Sequence, residues 1–527
     1  MSNKPLIILK SMNKNFSFLI FIIAMSCVLT GWTFRSNVKY PSDVETALNK
    51  AGTNRAELEK ALRYFIEKDD QQMLQALYFL ISNMDIHYTE TYVLKDTLGN
   101  NIPFREFDYP DIASAVAAID SMRAFYGGLV FKDTIIEDLK SLKGKYLIDN
   151  VNQAFEVWRS SQFKEIPFED FCEYILPYRV TVEPLETWRE TYRQKYRWMT
   201  DSLQNKPLER VLEYAGMDYH LWFTSSYGQK PLIEDEPLSR LSALQLLFRK
   251  RGACEDIAAL QVFSLRSQSI PAAYDVVPWW ATSMGSHFVN TVFDKRMQPI
   301  RLDVTNNTVI NRNMNREPAK VLRTTYSKQP DVLAAKVDWQ DIPPCHLRTL
   351  NYKDVTPQWW ESSDVTVGLS PDVPKADIAY AYIFNWGKWR PAWWGEVRGD
   401  SVTFSNMPKG IVILPVYYKH GRVVQAGYPQ VHAYNHELQL TPDTVHRRTV
   451  EIKQQDGYLI FRPGKEYELF YWDKVWKSLG TQIAEEGKTS IFFENAPDNV
   501  LFRLIPEYSV DKERPFIIMQ DGTRYWW

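Results

Sequence analysis

Cys254, His287 and Asp303 follow one another in an order that could build a nucleophile. A thiol whose proton is taken by an imidazole, itself held by a carboxylate, attacks a carbonyl carbon and forms a thioester. Cys254 lies in Arg251-Gly-Ala-Cys-Glu-Asp-Ile-Ala-Ala-Leu260, an apolar run that predicts a helix starting at the thiol. Unpaired N–H groups and the helix dipole favour negative charge there, so the expectation is a lowered thiol pKa. Gly252 is expected to let the backbone turn sharply and approach a substrate.

Two alternating runs must position the other two groups. His287 begins Ser286-His-Phe-Val-Asn-Thr-Val-Phe293, and Asp303 sits in Ile300-Arg-Leu-Asp-Val304. With Asp294-Lys295-Arg296 as the connecting loop, Phe293 pairs with Met297 and His287 falls directly opposite Asp303, on one face. Asp303 then holds the imidazole tautomer while the other ring nitrogen turns to the thiol. The competing explanation is packing. A lone cysteine is often an inert small apolar residue, and a His–Asp pair in a sheet can be structural.

Four successive segments resemble the transglutaminase-like superfamily. They are Gly252-Ala-Cys254-Glu-Asp256, Ser264-Leu-Arg-Ser-Gln-Ser-Ile-Pro271-Ala-Ala-Tyr274, Gly285-Ser-His287-Phe-Val-Asn290 and Arg301-Leu-Asp303-Val-Thr305. The superfamily includes transglutaminases, microbial cysteine peptidases and peptide N-glycanases. The resemblance covers roughly residues 206–320 and implies an α+β, cysteine-protease-like core. It also implies Cys254 as nucleophile, His287 as general base and acid, and Asp303 as orienting carboxylate. Ser269 stands where a glycine is usual, Val289 where an aromatic is usual, and Val304 where proline or a small residue is common. Besides the Cys254 N–H, an upstream side chain is expected at the oxyanion, with Trp222 and Tyr227 the candidates by position.

A chain of 527 residues exceeds what one core supports, so several domains are expected. A net charge of −2 and a pI near 6.5 make no electrostatic case for nucleic acid. Lys4, Lys10 and Lys14 precede an apolar stretch from Phe16 to Leu29, the pattern of an export signal over residues 1–36. Within it Ile23-Ala-Met-Ser-Cys27 resembles a bacterial lipoprotein box, with Cys27 the acylated residue and ordinary cleavage the alternative. The implied location is the periplasm or the outer-membrane surface. Cys172, Cys254 and Cys345 remain, an odd number that leaves at least one free thiol.

Residues 37–205 predict a helical domain and residues 206–355 the mixed core. Asn54 with Glu57 is a helix-start signature, followed by Leu58, Leu62 and Phe65 at helical spacing. Asn83-Met-Asp-Ile-His87 and Phe168-Glu-Asp-Phe-Cys-Glu-Tyr-Ile-Leu-Pro-Tyr178 resemble the leader region of large exported transglutaminase-like proteins of Bacteroidetes-type bacteria. His87 with Glu90 reads as a core histidine, not a site. From Thr356 onward, short alternating runs split by Pro, Gly, Asn and Asp predict two β-sandwich modules, 356–445 and 446–527. Trp359, Trp360, Trp386, Trp389, Trp393 and Trp394 suit either a glycan platform or the packing of a seam between domains, and the second is favoured.

The expected function is an exported thiol enzyme acting on amide bonds of proteins, peptides or glycopeptides, with no cofactor or metal required. The rivals are a surface protein that binds glycan or peptide around a relic core, and an amidase of the peptide N-glycanase kind.

Overall fold

A computed structural model describes residues 39–225, 233–237, 239–306, 309–311, 313–510, 513–519 and 521–527. The expected export signal, Cys27 and Tyr227 lie outside the described residues. The molecule is multidomain and mixed, with helices toward the N-terminus, several sheets, and a β-rich C-terminal region.

Helices Ser42–Lys50, Arg55–Glu67, Gln71–Asn83, Gly144–Trp158 and Arg189–Leu203 follow the spacing of their apolar residues. Their start signals are used unevenly. Asp70 caps its helix by accepting from Met73 N–H. Asn54 and Glu57 do not form the expected reciprocal cap. Asn54 donates to the carbonyls of Leu139 and Leu142, and Glu57 accepts from Gly144 N–H at 2.9 Å. Tertiary partners have claimed both residues. His87 is a core residue, stacked on Tyr326 at 4.2 Å and bonded to its carbonyl at 2.8 Å. Burial pushes its pKa down to about 3, so it is neutral.

One apolar core runs from Val44 to Tyr326 and joins these helices to the cysteine helix, Cys254–Ser267. That helix packs on a six-stranded antiparallel sheet. Its strand order is Tyr352–Asp354, Leu322–Thr324, Ala272–Val277, His287–Phe293, Pro299–Asp303 and Val309–Ile310. Strand alternation gives this sheet two unlike faces. Tyr274, Phe288, Val292 and Leu302 belong to the core shared with the helix. Val277, Val289, Val321 and Trp359 form a second cluster on the other face. There Asp275, fully buried, accepts from Arg323 twice and from Thr291 and Trp359. This is a closed and satisfied network.

Apart from one helical turn, Thr356–Trp359, regular structure after residue 356 is strand. Residues 362–439 form an eight-stranded antiparallel sheet whose first and last strands approach, with Gln439 Nε2 donating to Gly368 O at 3.2 Å. Alternation predicts a sandwich here, but the sheet instead curls nearly closed into a barrel. Alternation marks which face is inside, and both architectures satisfy it. Beyond it a two-stranded ribbon, Asp443–Lys453 with Ser490–Asp498, packs on a five-stranded sheet through Val450, Phe493, Leu469 and Phe502. Of the six tryptophans singled out, Trp386 is exposed and others are packed. Trp389 lies 5.4 Å from Trp472, and Trp359 and Trp393 are buried.

Candidate active site

The hairpin carrying His287 and Asp303 differs from its expected register. Phe293 pairs with Pro299, not Met297, and the loop runs over five residues, 294–298. Asp294 makes the wider loop. Its Oδ1 accepts from the N–H groups of Arg296 and Gln298, and Met297 adopts a positive φ of 58°. The shift is two residues, so it preserves the face. His287 and Asp303 become diagonal neighbours, and His287 Nε2 meets Asp303 Oδ2 at 3.0 Å. Asp303 Oδ1 accepts from Thr305 N–H at 3.1 Å and Thr305 Oγ1 at 2.6 Å. Bonds from His287 and Thr305 outweigh burial and hold the carboxyl below its ordinary range. The imidazole stacks on Trp280, with centroids 5.6 Å apart.

Cys254 is the first residue of its helix, and the helix runs so that this end lies over the end of the sheet where His287 starts. Tyr274 OH donates to Glu255 O at 3.2 Å, Asn290 to Ala258 O at 3.0 Å, and Arg266, near the helix C-terminus, to Ala272 O. Gly252 has a different use from the one expected. It pairs in a short parallel ladder with Ser225, and a Cβ there would stand 2.5 Å from Asp256. Its small size makes room for the Asp256 carboxylate, which caps the helix by accepting from Ala253 N–H at 2.8 Å.

The structure therefore joins His287 to Asp303 directly and brings Cys254 to the same end of the sheet, but His287 alternates with Phe288 and Asn290 and so sides with Val289 and Trp280 on the face away from the cysteine helix, and the thiol's hydrogen bond goes to Glu255. Cys254 Sγ donates to Glu255 Oε2 at 3.5 Å. The half-buried thiol is pushed up to about 12 by burial first and by the Glu255 carboxylate second. This reverses the expectation of a lowered pKa. The helix N-terminus does favour a thiolate, but desolvation and an adjacent anion exceed it. Glu255 was visible in the sequence as an ordinary first-turn acid, with nothing to say that it faces its neighbour.

Arg240 is the second residue that sequence reasoning missed. It donates to Glu255 Oε1 at 3.5 Å and lies over the Phe288 ring, Cζ 5.2 Å from the centroid. No periodic or motif signal distinguishes it. Trp222 is engaged elsewhere, donating to Asp218 at 3.1 Å under the Lys195 ammonium. The other two thiols are free as well, each with its pKa raised by burial. The chain matches no protein-family model and no curated protein.

Proposed function

We propose that Cys254, His287 and Asp303 form the centre of an exported, transglutaminase-like thiol enzyme that breaks or exchanges amide bonds in proteins, peptides or glycopeptides. The observation that carries this reading is the His287–Asp303 bond of 3.0 Å at the sheet end where the cysteine helix begins. With Nε2 donating to Asp303, Nδ1 is the acceptor left for the thiol. The thiol proton passes to Nδ1 and sulfur attacks the carbonyl carbon, moving the π pair onto oxygen beside the Cys254 N–H. Collapse breaks the C–N bond, and the leaving amine takes the proton from Nδ1. Water, or an acceptor amine, then loses a proton to Nδ1 and attacks the thioester. The C–S bond breaks and sulfur recovers its proton. No metal or cofactor enters these steps.

Glu255 is displaced before the first step in this scheme, because a thiol bonded to it resists ionisation. That contact favours the second reading, a binding protein with a dormant thiol. An open cleft of about 420 Å³ on the eight-stranded sheet, lined by Trp393, Trp394, Glu396, Arg398, Thr403 and Ser405, is where such a protein would hold glycan.

The deciding experiment incubates the protein with mixed peptides and glycopeptides and maps acyl adducts on Cys254 by mass spectrometry. A thioester on Cys254, absent from Cys254→Ala, is expected. Loss of intact glycan from asparagine would assign the N-glycanase-type amidase. No adduct, together with an unreactive thiol and retardation by polysaccharide gels, would assign the binding protein.

A further inference from the structure

Arg240 is poorly used for a guanidinium so close to a thiol. Nη1 donates to Ser239 O at 2.6 Å and to Glu255 Oε1 at 3.5 Å, while Nε is buried and makes no hydrogen bond among the described residues. The side chain is 25 % exposed, so the group reaches solvent from within the site. Two buried arginines show how the Nε–Nη2 edge is used when a carboxylate is present. Arg323 sets Nε and Nη2 on the two oxygens of Asp275, and Arg179 sets the same pair on Asp138. A planar fork with a buried, unpaired N–H is shaped for a carboxylate that the described residues do not supply. Glu255 cannot fill the role while its other oxygen accepts the thiol.

We propose that Arg240 is the anion-recognising residue of this site, and that the amide substrate carries a carboxylate near its scissile carbonyl. This rests on Cys254 being the nucleophile and adds the substrate class. The carboxylate docks on the Nε edge of Arg240, with the Phe288 ring behind the guanidinium plane. Glu255, Asp256 and Glu90 all lie close enough to act on Arg240, so bulk positive potential is weak. Selectivity then comes from bidentate geometry, and a neutral amide of the same shape leaves Nε unpaired. The carboxylate is either a chain terminus or an acidic side chain.

The test needs no turnover. Cys254 in the full-length protein is alkylated with iodoacetate and, separately, with iodoacetamide, and the modified peptide is quantified by mass spectrometry. The ratio of the two rates is compared with that of N-acetylcysteine amide. The anionic reagent should be favoured at least tenfold over the reference. Arg240→Gln should bring the ratio to the reference or below, and Arg240→Lys, which keeps the charge but loses the fork, should lose most of the preference. Melting curves check the variants, and Arg240→Lys decides alone if Arg240→Gln unfolds. N-acetylalanine and N-acetylglutamic α-amide, tried as protectants against iodoacetamide, distinguish a terminal from a side-chain carboxylate. N-acetylalanine amide should not protect. A ratio at the reference value, or one indifferent to Arg240, overturns the anion site while leaving the nucleophile standing. So does failure of both carboxylates to protect. Cys254 untouched by either reagent overturns both.

Discussion

The imidazole of His287 and the thiol of Cys254 each have a carboxylate beside them, and the two carboxylates do different things. Asp303 meets His287 Nε2 at 3.0 Å and orients the ring. Glu255 lies 3.5 Å from the thiol, and its charge adds to burial in favouring the protonated, neutral form. They also differ in how firmly they are held. Asp303 accepts twice from Thr305 besides His287. Glu255 has two contacts at 3.5 Å and is 26 % exposed. One carboxylate is held by three bonds, the other by two long contacts. Asp275 marks the structural extreme on the same sheet, fully buried and bonded to three different side chains.

The largest expected effect is at sulfur. Cys254→Ala should abolish acyl-enzyme formation with the fold intact, read by thioester trapping alongside a melting curve. Wild-type turnover in that variant would remove Cys254 from the mechanism.

Asp303→Asn tests the firmly held carboxylate. The side chain keeps its size and its bond to Thr305, so melting should change little. The amide weakens the preference for the productive tautomer, and kcat/KM should fall roughly 10–10³-fold, less than the ~10⁴ of the serine-enzyme precedent. Unfolding of this variant would place Asp303 with Asp275 among the structural acids.

Glu255→Gln tests the loosely held carboxylate and should move in the opposite direction. Removing the anion lowers the thiol pKa from about 12, while burial, the larger cause, keeps it raised. Alkylation of Cys254 at pH 8 should rise roughly 3–10-fold, less than the gain in thiolate, because nucleophilicity falls with pKa. An unchanged rate would mean that burial alone silences the thiol.

The smallest effect is on stability against pH. A thiol whose folded pKa lies above its unfolded value binds more protons in the folded state as pH rises past the unfolded value. Cys254 therefore contributes stability that is intact below about pH 8.5–9 and is lost as pH rises toward about 12. Asp303, with its pKa lowered, contributes stability above the unfolded carboxyl value that is lost as pH falls through the folded one. Urea titrations between pH 8 and 10.5 should show a shallower alkaline decline for Cys254→Ala than for wild type. Parallel curves would show that the raised thiol pKa is not coupled to folding.

Much of this was legible along the chain, because periodicity reports burial and burial decides elements. The helix at Cys254, the strands at His287 and Asp303, the helices before residue 205 and the strands after 356 all follow from it. So does the shared face of His287 and Asp303, which survives a two-residue error in register because parity is all a face requires. The core role of His87 was also readable, since nothing near it in sequence offered it chemistry.

The tertiary structure decided what depends on through-space partners. Asp294, bonding across its own loop, set the register. The curl of the eight-stranded sheet required residues 71 apart in the chain to approach, as Gly368 and Gln439 do. The sign of the thiol shift turned on burial first and on the Glu255 carboxylate second, neither of which a helix-start pattern contains. Arg240 entered only because a ring and a carboxylate from two distant segments converge on it. Sequence determined which groups could react. Folding decided which charge each of them faces, because electrostatic effects depend on distance and solvent exclusion that no linear spacing encodes.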